Sequence, residues 1–217
     1  MQATITLLPG DGIGPEVTAA ACKILEAVAA PLSFQVHRAG LAALEQGEEV
    51  LPQSTVEAVQ LCGGALKGPC TTPVGEGFTS VNVQLRQHLN LFAAVRPVRN
   101  LAGVETQFDD VDLVIIREAP EDVYAGIEHE VVPGVVQRLK ITTTRATERV
   151  IRFAFEYARR RGRQKVSIVH KANIMKLTDG LFLRCAQRVH EEEYPFFDYD
   201  EFIICLLYTS PSPRDAT

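Results

Sequence analysis

The sequence predicts an α/β fold, on three observations. An alternating, β-branched run, Thr4 to Leu8, passes through a glycine turn, Gly10 to Gly14, into a helical pattern beginning near Pro15. Strand-like and helical runs then follow one another along the chain, as α/β proteins require. Val111 to Ile116 holds five apolar residues around Asp112, the pattern of a strand buried on both faces. Arg117-Glu118 follows at its C-terminal end, where α/β proteins place ligands.

The composition allows a sizeable core and excludes several classes. The 217 residues are 46% hydrophobic and 23% charged, an ordinary globular balance. Net charge is −5, and the one basic run, Arg159 to Lys165, crowds a helix end, so nucleic acid is not an expected partner. No apolar run approaches a membrane span. A strand-like run starts almost at once, so no signal or transit peptide is expected before Ile5. The five cysteines form no C-x-x-C pair and are odd in number. A reducing cytoplasm is therefore expected.

The first helix carries Val17, Ala20, Ala21, Ile24, Leu25 and Val28 on one face. Its glycine turn does not match the Rossmann fingerprint: the spacing is G-x-G-x-G-P, and no acidic residue ends the next strand, Leu32 to Arg38. Glu57 to Leu61 reads as helix, and Ala65-Leu66 as the end of a short buried strand. Leu91 to Val98 is a strand that Pro97 marks as an edge or an end. Two β-like runs, Ile127 to Val132 and Val135 to Ile141, join through Pro133-Gly134 as a hairpin. Thr143 to Arg161 is a long helix with Ile151, Phe155 and Ala158 inward, capped by Gly162. Val166 to Val169 is a short buried strand, Thr178 to Val189 a helix, and Phe202 to Ile204 the start of a further strand.

The stretch from Lys67 to Arg86 is the richest in chemistry. Gly and Pro shape its first half into a loop. Val81, Leu85 and Leu89 then recur every four residues as one helix face, with Ser80 placed to cap it. A helix N-terminus bearing Ser80, Asn82 and Arg86 suits a carboxylate, which Arg86 grips bidentately. On spacing alone, a capped surface helix with an exposed Arg is the better account of the pattern.

Five motifs, in order, resemble the isocitrate and isopropylmalate dehydrogenase family. They are ITLLPGDGIGPEV, KGPCTTPVGEGFTSVNVQLRQ, LFAAVRPVRN, VIIREAPEDVYAGIEHE and VHKANIMKLTDGLF, and the resemblance covers roughly residues 3 to 204. It implies a two-domain isopropylmalate/isocitrate dehydrogenase-like fold that is not Rossmann. It also implies oxidative decarboxylation of isocitrate with NAD (NADP possible) and Mg²⁺ or Mn²⁺. Ser80-x-Asn82 resembles the isocitrate version, where isopropylmalate enzymes carry apolar residues. Arg86, Arg96 and Arg117 would clamp the substrate carboxylates, with Ser80 and Asn82 on the one unique to isocitrate and Lys67 close by. Tyr124 and Lys171 would handle protons. Thr72 and Asn173 would contact the cofactor. A second subunit would share the site, clasped through the hairpin.

By the same resemblance, residues 1–91 form the first part of a large domain. Residues 92–124 and 151–204 form a small domain, and 125–150 the clasp. Residues 205–217 resemble no part of the family and are expected to be a non-native tail. The metal-binding aspartates and the adenine-binding loop would lie beyond this truncated chain, which holds no metal ligands and is expected to be inactive alone. Ala119-Pro120 departs from the family's usual Asn followed by Ser or Thr, and so affects the nicotinamide side. Two other functions stay open: a dehydrogenase for a related diacid such as isopropylmalate or homoisocitrate, and a non-catalytic regulatory subunit. Intact Tyr, Lys and Arg positions argue against the latter. His129 and His170 read as structural, and no His/Cys cluster has zinc spacing.

Overall fold

A computed structural model describes residues 2–73 and 77–206. The chain divides into two compact units, one ending at Leu91 and the other starting at Phe92. In the first unit, β1 (Ala3–Leu8) is the centre of a parallel sheet, with β2 (Leu32–Val36) and β3 (Ala65–Lys67) on its two sides. Around it lie α1 (Gly14–Ala27), α2 (Leu41–Leu44), α3 (Gln53–Cys62) and α4 (Val81–His88). Leu8, Ala39, Leu51, Val56, Val59, Val81 and Leu85 form its core, so α4 is fastened by the very residues whose period predicts it.

The second unit begins with an antiparallel ribbon, β4 (Ala93–Arg99) against β5 (Asp112–Glu118). A short 3₁₀ turn, Val123–Ala125, follows, then the hairpin β6 (Glu128–Val132) and β7 (Val135–Arg138) with a bulge. Next come α5 (Thr144–Arg160), β8 (Lys165–His170), α6 (Thr178–Glu193) and β9 (Asp198–Ile203), with β8 and β9 parallel. Phe155, fully buried on α5, stacks on Tyr194 with ring centres 4.9 Å apart. Val150, Ile151, Ala158, Ile168, Ala186, Val189 and Phe197 surround it. Thr143 caps α5 by accepting from the Ala146 amide at 3.2 Å.

Several expectations need correction. The strand over Val111 to Ile116 is not buried on both faces: Leu113 and Ile115 are 47% and 51% exposed. Its pairing explains this. Ala93 and Ile116, on one face of the ribbon, pack on the core around α5, and among the described residues only β4 pairs with β5. On α1, Val17, Ile24 and Val28 are exposed, whereas Gly14 and Thr18 are buried. Of the predicted stripe only Ala21 and Leu25 are half-buried, and the fully buried residues are small ones near the helix N-terminus. β3 and β8 are less buried than predicted, with Ile168 the one buried residue of β8. Ser80 occupies the N-cap of α4, but its hydroxyl makes no capping bond. α3 and α6 run longer than predicted, and β9 starts four residues earlier, at Asp198. The tail expectation concerns residues 205–217, of which 207–217 lie outside the described residues. Cys205 and Leu206 complete an exposed 3₁₀ turn.

Candidate functional site

In the first unit the candidate residues hang on a loop laced around Asp11. The Asp11 amide donates to Pro69 O at 3.1 Å. Its carboxylate accepts from the Thr71 amide at 2.6 Å and the Leu41 amide at 2.8 Å. Burial pushes the Asp11 carboxyl up, but the Thr71 hydrogen bonds, the Leu41 amide and the Lys67 charge together hold it below its ordinary value. Two glycines make the close approach possible. A Cβ at Gly10 (φ +78°) would run into the Pro69 carbonyl, and one at Gly68 into Pro9 O and the Thr18 hydroxyl. Lys67 turns back into its own loop, donating to Gly68 O at 2.5 Å and standing 3.5 Å from Cys70 Sγ. Thr72 is exposed one residue beyond the Thr71 anchor. On α4, Asn82 is exposed and Arg86 half-buried. They are four apart, so their side chains share one helix face roughly 6 Å apart at Cβ.

In the second unit the ribbon register sets the arginines. Arg96 pairs with Ile115, and Arg117 with Ala94. Both arginines therefore lie on one face, diagonal neighbours roughly 7–8 Å apart along the backbone. That is the face turned away from the Ala93–Ile116 packing. The Arg117 guanidinium carbon stands 5.4 Å from the centre of the Tyr124 ring. Arg117 Nε is buried without a hydrogen-bond partner, an atom suited to an anionic ligand's oxygen. Lys171 follows β8, its amide donating to Asp179 Oδ2 at 2.8 Å and its ammonium lying against Cys205 Sγ. Asn173 is exposed in the same loop. His170 accepts from the Ala172 amide at 3.0 Å, a structural role.

The structure thus brings Arg96, Arg117 and Tyr124 together within one unit, and Asn82 with Arg86 within the other. Sequence reasoning passed over Asp11, although it sits inside the Gly10-Asp11-Gly12 turn, a position suited to binding neighbouring amides. Glu118, which the sequence places with Arg117 at the ligand end of its strand, has a carboxyl that accepts from the Glu121 amide at 3.0 Å. Burial, with Glu121 and Asp122 nearby, pushes the Glu118 carboxyl up against the pull of the Glu121 amide and the Arg149 charge. Nothing in the sequence marks that carboxylate as inward-facing.

Among the described residues no group of three or more His, Cys, Asp or Glu is arranged to hold a metal ion, so a divalent cation does not fit this set. Nor is any of their helices long and apolar enough to cross a membrane.

A profile of the family described as isocitrate/isopropylmalate dehydrogenase matches residues 4–208. Catalytic subunit 5 and regulatory subunit 1 of mitochondrial NAD isocitrate dehydrogenase from Arabidopsis thaliana are 46% and 47% identical, each across 97% of this chain and 56% of the relative. The chloroplastic 3-isopropylmalate dehydrogenase of Solanum tuberosum is 46% identical across 96% of this chain and 58% of its own length. The crystal structure of isocitrate dehydrogenase from Methylococcus capsulatus superposes with a TM-score of 0.88 at 45% identity, covering 94% of this chain and 61% of that one. The chain thus spans a little over half the length of the curated relatives it matches. The fold is that of these dehydrogenases, as the motifs imply. The cytoplasmic expectation does not stand, because the NAD isocitrate dehydrogenase relatives bear mitochondrial names. Unpaired cysteines distinguish reducing from oxidising surroundings, not one reducing compartment from another.

Proposed function

Since the chain belongs to the isocitrate/isopropylmalate dehydrogenase family, we propose that the full-length protein oxidatively decarboxylates isocitrate to 2-oxoglutarate with NAD. The observation that carries this reading is the Arg117–Tyr124 contact, with Arg96 on the same ribbon face. Two guanidiniums beside a phenol suit a multiply charged carboxylate substrate whose chemistry needs proton transfer. In this reading Arg96 and Arg117 hold the carboxylates flanking the reacting carbons, and Lys67 is a further substrate-binding group. Ser80, Asn82 and Arg86 receive the carboxylate that distinguishes isocitrate. Tyr124 and Lys171 divide the proton work: one takes the hydroxyl proton, and the other returns a proton to the carbon that loses CO₂. NAD, when bound, would supply the hydride acceptor, and the exposed Thr72 and Asn173 are the side chains proposed to hold it. No step is assigned to Mg²⁺ or Mn²⁺, whose ligands the described residues do not supply.

A second copy or a related subunit is the proposed partner, offering its own Lys171. The hairpin supports this, because Val131, Val132, Val135 and Val136 are all exposed there. The isopropylmalate reading is supported by the potato relative, but polar Ser80 and Asn82 fit an alkyl group poorly. The regulatory reading is supported by the Arabidopsis regulatory relative, against which stand intact Arg96, Arg117, Tyr124 and Lys171.

The test is steady-state kinetics of the full-length protein encoded at the source locus. We expect kcat/KM for isocitrate to exceed that for isopropylmalate by at least about 1,000-fold, since a polar pocket rejects a ligand that leaves it unpaired. Comparable values would sink the assignment.

A further inference from the structure

We infer that Lys140 and Asp179 are positioning residues that tie the turn carrying Tyr124 to the loop carrying Lys171 within one chain; the catalytic meaning of this tie rests on the function proposed above. Asp179 lies in the first turn of α6 and is 8% exposed. Its Oδ2 takes the Lys171 amide at 2.8 Å, and its Oδ1 takes Lys140 Nζ at 2.6 Å. The same ammonium stands 3.8 Å from Asp122 Oδ2. Asp122 in turn caps the 3₁₀ turn that bears Tyr124, accepting from the Val123 amide at 2.8 Å. It also bridges Ile141 through both main-chain hydrogen bonds, 2.9 and 3.3 Å. One ammonium thus sits between two carboxylates, one holding the Lys171 amide and the other the amide of Val123, next to Tyr124.

Two further features favour positioning over bulk stability. Asp122 has φ +62° and ψ −142°, a region that residues other than glycine avoid. Such strain persists only where the surroundings hold it, and here the holders are the Ile141 bridge and Lys140. The Lys140–Asp179 pair is also largely desolvated, with side chains 25% and 11% exposed. Buried ion pairs contribute little net stability against apolar replacements, so geometry is the better account of this one. If Lys171 serves a second subunit's site, Lys140 connects the two contributions that each chain makes.

The test uses the full-length protein encoded at the locus. Lys140→Met should lower kcat for isocitrate about 30-fold, the scale of a sub-ångström to 1 Å misplacement. KM should stay within about twofold, because the arginine ribbon is untouched. Lys140→Arg still reaches Asp179 and should restore most of the loss. Asp179→Asn should match Lys140→Met, and if it does not fold, Lys140→Met decides alone. Amide hydrogen exchange reads the tie whatever the substrate: Lys140→Met should reduce protection at both Val123 and Lys171 by about tenfold. Unchanged protection at either amide overturns the inference. So does a kcat within about threefold of the parent in an enzyme that Tyr124→Phe or Lys171→Met inactivates, or a loss that Lys140→Arg fails to restore. Coupled exchange without isocitrate turnover upholds the tie and removes the proposed function instead.

Discussion

Two buried carboxylates, Asp11 in the first unit and Asp179 in the second, each hold a loop by its main chain, and they do so with different partners. Asp11 is satisfied by the amides of Thr71 and Leu41, with glycines clearing the space around it. Asp179 is satisfied by one amide, that of Lys171, and by an ammonium from a residue 39 positions away. The first arrangement depends on backbone shape, the second on a charge. Substitutions that alter shape should therefore damage the first and spare the second, whereas removing the Lys140 charge should damage the second alone.

The sharpest break comes at Gly10. Gly10→Ala places a Cβ against the Pro69 carbonyl at φ +78°. It should cost about 3 kcal/mol or more, read as a lower urea midpoint of the first unit. Next is Asp11→Ala, which strands two amides and should cost about 2–3 kcal/mol. Its pH signature has a definite sign. The Asp11 carboxyl lies below its ordinary 3.8, so its contribution is present above that pH and lost as pH falls through the depressed value. Asp11→Asn should remove this acid limb from the stability curve.

Glu118 should show the opposite sign. Its carboxyl lies above the ordinary 4.5, so the second unit is favoured below that pH and loses stability as pH rises through the raised value. Glu118→Gln should flatten that loss in urea titrations run at pH 4 and pH 8. The smallest effect belongs to Gly180, beside Asp179. A Cβ there meets only the mobile end of Arg184, at 3.3 Å. Gly180→Ala should therefore stabilise by about 0.5 kcal/mol, whereas a loss above 1 kcal/mol would show that the Asp179 junction depends on shape after all.

The same contrast decides what the sequence could reveal. α4 and α5 were legible because their apolar periods, Val81–Leu85 and Ile151–Phe155–Ala158, coincide with the faces they bury. The glycine turn was legible because only its shape mattered. β5 was misread because a run of apolar residues carries no information on how many faces find a partner. Burial of α1 departs from its pattern for the same reason, since its fully buried residues are Gly14 and Thr18 and most of its apolar stripe is exposed. The placing of Arg96 and Arg117 on one face needs the ribbon register, which no local pattern supplies. Lys140 and Asp179 meet only through tertiary structure, so neither stood out among ordinary loop and helix charges.

The central claim is that the start of α4 selects the substrate, and a specificity exchange tests it most directly. In the full-length protein, the double variant Ser80→Leu/Asn82→Val keeps a buried helix face through Val81 and Leu85 while removing the two polar groups. The ratio of kcat/KM for isocitrate over isopropylmalate should fall by at least about 100-fold, with isopropylmalate turnover rising in absolute terms. A ratio unchanged within about threefold, in a folded variant, would contradict the claim and place the selecting residues elsewhere.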